Sequence, residues 1–90
     1  MIAPLVVGNW KMNGSQAECV GLARQICRQL KNHTAQAEVV LAPPFTALAS
    51  VGQVLRNSAV KLAAQNSHWA ESGAFTGEVS ASMVREFCGY

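Results

Sequence analysis

The sequence predicts an α/β fold in which parallel strands are joined by helical crossovers. Three observations carry this prediction. Apolar runs at Pro4–Lys11, Val39–Ala42 and Val60–Gln65 have the length and residue types of strands. Each is followed by a stretch with apolar residues three and four apart, after Ser15, Thr46 and Ser80. Most connections are short, and a β-α-β-α-β-α order with short connections demands parallel strands and right-handed crossovers.

The first strand opens at Pro4, where a missing N–H costs little, and runs to Lys11. Alternation puts Val7, Asn9 and Lys11 on one face and Val6 and Trp10 on the other, where Trp10 packs between sheet and helices. Lys11 is the only basic side chain before Arg24. With the carboxamide of Asn9 on the same face, it forms a grip suited to an anionic ligand. Asn13-Gly14 could open a hairpin, but the residues beyond it have helical spacing, so the turn leads into a helix.

Ser15-Gln16-Ala17-Glu18 has the form of a capping box, in which the Ser hydroxyl and the Glu carboxylate satisfy orphan N–H groups. Cys19, Leu22, Ala23, Ile26, Cys27 and Leu30 then make an apolar stripe ending near Lys31 and Asn32. Arg24, Arg28 and Lys31 fall off the stripe, on a solvated face. Arg28 and Lys31 also suit the negative end of the helix. Val39–Ala42 is apolar on both faces and is stopped by Pro43-Pro44, as expected of a strand buried on both sides.

Thr46 fits the cap of a second, shorter helix with Leu48, Val51, Val54 and Leu55 as its apolar positions and its end at Asn57. The third strand, Val60–Gln65, leads into a polar, Gly-punctuated loop from Ser67 to Gly77 that displays Trp69 and Phe75. Ser80 caps a third helix. Val79 and Val84 fit a hydrophobic staple, Met83, Val84 and Phe87 are its apolar contacts, and Gly89 suits its stop.

Composition narrows the function. At 90 residues and half hydrophobic, the chain is about one small domain. A net charge of +2, with basic residues scattered from Lys11 to Arg85, offers no cluster to neutralise nucleic-acid phosphates. No apolar run approaches the roughly 20 residues of a membrane span. The opening Met-Ile-Ala-Pro-Leu lacks a basic leader, so neither nucleic acid nor membrane is an expected partner and the chain reads as cytoplasmic. Cys19, Cys27 and Cys88 lack CxxC or CxxH spacing and read as reduced thiols, with no metal site. His33 and His68 read as structural or exposed, and Glu78 has no paired carboxylate for acid–base work.

A doubly wound open sheet and a (β/α) barrel both accept this order of elements. A dinucleotide-binding sheet needs G-x-G-x-x-G after the first strand, and the P-loop pattern is missing too. In either architecture ligands meet the C-terminal ends of the strands. Those ends carry Asn9 and Lys11, Pro43 and Pro44, and Gln65 and Asn66.

Three separated blocks resemble one family. They are Gly8-Asn9-Trp10-Lys11-Met12-Asn13-Gly14, Ala42-Pro43-Pro44-Phe45, and Ala64-Gln65-Asn66 continuing through Gly73-Ala74-Phe75-Thr76-Gly77-Glu78-Val79-Ser80. They look like the triosephosphate isomerase family, in its order and over essentially the whole chain. The resemblance implies a (β/α)8 TIM barrel, of which the chain supplies three strand–helix units. It also implies interconversion of dihydroxyacetone phosphate and D-glyceraldehyde 3-phosphate through an enediolate, in glycolysis and gluconeogenesis, without metal or organic cofactor.

By the same resemblance Asn9 and Lys11 bind the phosphorylated triose, and Lys11 is catalytic. A fixed ammonium offsets charge on the phosphate and on the developing enediolate oxygen. The loop from Ser67 to Gly77 is expected to reach into the partner of a homodimer, Thr76 approaching the Asn9–Lys11 region there and Met12 lining the receiving pocket. Gln65, Phe75, Gly77 and Glu78 are expected to support that docking. A loop of this length with exposed aromatics already suggests a binding surface, the alternative being a loop packed on its own chain.

The family's general base, electrophilic His and phosphate-holding lid have no counterpart in these residues. A complete barrel takes about 250 residues. Residues 1–90 therefore read as the N-terminal portion of a single barrel domain, incomplete at its C-terminus and inactive alone, with unpaired apolar edges on the first and third strands. The alternative is a non-catalytic piece that acts only by associating with a complementary fragment or partner subunit.

Overall fold

A computed structural model describes residues 2–32 and 36–90; His33 lies outside them. The elements are strand β1 (Leu5–Asn9), helix α1 (Gln16–Leu30), strand β2 (Glu38–Ala42), a 3-10 turn (Phe45–Ala47), helix α2 (Leu48–Leu55), strand β3 (Lys61–Leu62) and helix α3 (Ala81–Arg85). The strands form one parallel sheet in the order β1-β2-β3. Register sets Val7 beside Val40, Asn9 beside Ala42 and Val40 beside Lys61. The β-α-β-α-β-α order predicted from hydrophobic spacing is the observed one.

Helix α1 starts at the capping box. Ser15 Oγ accepts from the Glu18 N–H at 3.1 Å, and Glu18 Oε1 accepts from the Ser15 N–H at 2.8 Å. Two donors that the first turn leaves open are thereby satisfied. Hydrogen bonding of the carboxyl by the Ser15 N–H foremost, and then by the Ser15 hydroxyl, holds Glu18 below its ordinary range. Along the stripe Cys19 and Ala23 are buried, while Leu22 lies at its margin and stays largely exposed. Burial, with the Glu18 charge adding to it, raises the Cys19 thiol pKa, so it packs as a neutral apolar group.

The main core lies between the helices and one face of the sheet, where Cys19, Ala23, Leu48, Val51 and Leu55 meet Leu41 and Leu62. Trp10 packs against this core, as its alternation predicts. Val40, Ala42 and Ala63 form a second cluster, and since Val40 and Ala42 alternate with Leu41, β2 is buried on both faces. Strand β1 differs, for Leu5, Val6 and Val7 are 56%, 53% and 50% exposed. It is hydrogen-bonded on one side only.

The chain departs from local expectation at several points between Pro44 and Gly89. Thr46 caps nothing: Pro44, with φ −58°, turns the chain into a 3-10 turn in which the Ala47 N–H donates to Pro44 O at 3.0 Å. Helix α2 begins behind that turn and ends at Leu55, short of Asn57. Strand β3 covers two residues instead of Val60–Gln65, because Pro43 has no N–H to extend the β2 ladder. Helix α3 ends at Arg85, well before Gly89, where Val84 O accepts from both Phe87 N–H at 2.9 Å and Cys88 N–H at 3.1 Å. Met83 and Phe87 remain half exposed, so α3 packs through Val84.

The cap at Ser80 does form, its Oγ accepting from the Met83 N–H at 3.3 Å. Val79 packs with the cluster that contains Val84, as a staple requires. Among the described residues no helix is long and apolar enough to cross a membrane.

Candidate active site at the strand ends

Asn9 is the last residue of β1, and the chain turns sharply beyond it. Lys11 takes a left-handed conformation, φ 56°, which costs a side-chain-bearing residue about 1–2 kcal/mol. The strand therefore ends before Lys11, and the pleat does not set the direction of its amine as the alternation predicted. A turn does. The Lys11 N–H donates to Asn9 Oδ1 at 2.9 Å, and Asn13 Nδ2 donates to Trp10 O at 2.9 Å. Gly14 follows with φ 99°, and a Cβ there would lie 2.9 Å from Cys19 Sγ. The loop can close over the buried thiol only with glycine at this position.

Three longer-range bonds join this turn to the ends of the neighbouring strands. The Trp10 N–H donates to Ala42 O at 3.1 Å. Gln65, just past β3, donates from Nε2 to Ala42 O at 2.8 Å and to Lys11 O at 3.0 Å. The ends of all three strands meet at these carbonyls. Lys11 is exposed, and among the described residues its amine is in no ion pair. Asn9 Oδ1 is occupied by the Lys11 N–H, so its Nδ2 is the end free to donate to a ligand.

The loop from Ser67 to Gly77 is closed at its base. The His68 N–H donates to Val79 O at 2.7 Å, and His68 bridges to Ser80 as a strand would. Inside the loop the His68 ring lies 4.3 Å from that of Phe75, and His68 Nδ1 is 3.2 Å from Glu78 Oε1. Gly73 and Gly77 take positive φ, and a Cβ on Gly73 would meet the Phe75 ring at 2.8 Å. His68 is thus structural, and the loop holds its own shape while Trp69 stays 93% exposed.

Of the other residues singled out from the sequence, Met12 is 95% exposed, and Phe75, Thr76, Gly77 and Glu78 lie on the surface. Gln65 is half buried with both donors engaged inside the chain. The link from Gln65 to Lys11 was invisible in the sequence because the two are far apart along it. The brace from His68 to Glu78 had a weak signal, a His and a Glu flanking a Gly-punctuated loop. Among the described residues no group of three or more His, Cys, Asp or Glu could hold a metal ion. A cleft of about 580 Å³ between α1 and α2, lined in part by Arg24, Arg28 and Ser50, does not include Asn9 or Lys11.

A model of the triosephosphate isomerase family matches residues 4–89. The triosephosphate isomerase of Alkaliphilus metalliredigens is 48% identical over 86 residues, a match covering 96% of this chain and 34% of that protein. The one from Prosthecochloris aestuarii is 49% identical over 87 residues, with the same shares covered. Among solved structures, triosephosphate isomerase from Bartonella henselae superposes with a TM-score of 0.85 at 33% identity, covering 98% of this chain and 35% of that one. The three parallel strands and their helices match part of a TIM barrel, and the chain spans about a third of the length of the curated relatives it matches.

Proposed function

The chain belongs to the triosephosphate isomerase family, and from that premise we propose that residues 1–90 form the N-terminal portion of a (β/α)8 barrel with that activity. In this reading the protein works in the cytoplasm, interconverting dihydroxyacetone phosphate and D-glyceraldehyde 3-phosphate through an enediolate. Asn9 and Lys11 bind the substrate and Lys11 is catalytic. The observation that carries the proposal is the fixed backbone at Lys11, just past the C-terminal end of β1, whose ammonium is in no ion pair among the described residues. That is where α/β barrels place their chemistry.

The ammonium pairs with the substrate phosphate and with the oxygen that gains charge as the enediolate forms. An interaction stronger in the transition state than in the ground state accelerates the reaction. Asn9 donates from Nδ2 toward the same substrate. The acid–base groups come from later units of the barrel.

A second copy of the chain completes the site. The loop from Ser67 to Gly77 docks on the partner beside Met12, bringing Thr76 to the partner's strand ends. Gln65, Phe75, Gly77 and Glu78 support the docking. The exposure of Met12 and the internal bracing of the loop favour this reading, since a loop already in shape loses less entropy on binding.

The test is an isomerase assay on the full-length protein with and without Lys11→Ala. Losing one preorganised charge typically costs about 3–4 kcal/mol, so kcat/KM is expected to fall at least about a hundredfold. A variant with near-wild-type kcat/KM overturns the proposal.

A further inference from the structure

We infer that Gln65 is a positioning residue for Lys11: its carboxamide holds the left-handed backbone that aims the Lys11 ammonium. The inference rests on the reading of Lys11 given above. Both acceptors of Gln65 are backbone carbonyls, Lys11 O at 3.0 Å and Ala42 O at 2.8 Å. Only the NH2 end of an amide can face two such oxygens, so the orientation is fixed by its partners. Ala42 O also accepts the Trp10 N–H, so one carbonyl at the end of β2 anchors both the residue before Lys11 and the side chain that grips Lys11 itself.

The grip matters because Lys11, at φ 56°, would relax toward negative φ if its carbonyl were released. A change in φ there swings the long side chain and moves its ammonium. On the other side of Lys11, Asn9 holds the N–H at 2.9 Å, so the residue is fixed at both of its backbone polar groups. Gln65 lies beyond β3, and the loop from Ser67 to Gly77 follows it directly. It therefore ties the segment after β3 to the turn after β1 through one hydrogen bond and to the end of β2 through another.

The experiment uses full-length protein and measures kcat and KM for the triose phosphate with Gln65→Met, Gln65→Glu and Lys11→Ala, and with each Gln65 variant combined with Lys11→Ala. Gln65→Met keeps length and removes both donors, and kcat/KM is expected to fall about ten- to a hundredfold, the scale of a displaced catalytic group. In Gln65→Glu an ionised carboxylate faces two carbonyls, whereas its protonated form can donate one bond. Its activity relative to wild type is therefore expected to rise as pH is lowered, which a purely structural loss would not produce.

On the Lys11→Ala background neither Gln65 variant should cost anything further, because the two residues act as one unit. Activity of Gln65→Met within twofold of wild type, a flat pH ratio for Gln65→Glu, or undiminished losses on the Lys11→Ala background would each overturn the inference. Should Gln65→Met fail to fold, Gln65→Glu and its dependence on Lys11 decide. A fully active Lys11→Ala protein sinks the functional proposal and this inference together, whereas the other adverse outcomes sink only this one.

Discussion

At Lys11 a conformation normally left to glycine is occupied by a residue with a long charged side chain. Glycine would relieve the backbone and remove the amine, so the position accepts strain to keep a charge at the strand end. Asn9 and Gln65 hold the strained residue by its N–H and its carbonyl. Thr76 is the opposite case, a small exposed residue beside Gly77 at φ 87°, with no such network among the described residues. Its importance in the proposed dimer is steric and electrostatic. Thr76→Arg is expected to push an unpaired charge into the partner's pocket and shift the full-length protein toward monomer. Sedimentation velocity at low micromolar concentration checks this, and an unchanged profile counts against the docking role.

Helix α1 is held at its start by reciprocal bonds between Ser15 and Glu18. Ser15→Ala is expected to cost about 1 kcal/mol in urea denaturation of the full-length protein. The pH dependence has a definite sign. Folding lowers the Glu18 pKa from its ordinary 4.5, so the contribution is fully present above that value and is lost as pH falls through the lowered one. Glu18→Gln can still accept the Ser15 N–H without titrating. Relative to wild type its urea midpoint should decline less between about pH 5 and about pH 3. The capping box was readable because it lies within four residues. Thr46 had the right chemistry for a cap, but the 3-10 turn after Pro44 left it inside the turn. The shortening of β3 depends on Pro43 in the neighbouring strand, so no local reading of Val60–Gln65 could show it.

The three strands make an open sheet with a half-exposed apolar β1 edge. The match to a third of the relatives' length fits such a sheet as part of a closed barrel. The 90 residues expressed alone are expected to show no isomerase turnover in a coupled assay. Adding the complementary remainder of the full-length protein should restore some activity, as its strands cover the exposed edge. Turnover by the 90 residues alone that vanishes with Lys11→Ala would contradict this.

The sequence by itself determined the order and parallel pairing of the strands, the α1 cap, the burial of β2 on both faces and the placing of Asn9 at the end of the first strand. These follow from periodicity and short-range hydrogen bonding, which act over a few residues. Tertiary structure alone decided how Lys11 is held. Its backbone follows a turn instead of the pleat, and its carbonyl is gripped by Gln65, a residue that becomes its neighbour only when β3 lies beside β2. A bond between residues so far apart in the chain has no local signature, because its geometry exists only after the sheet has formed.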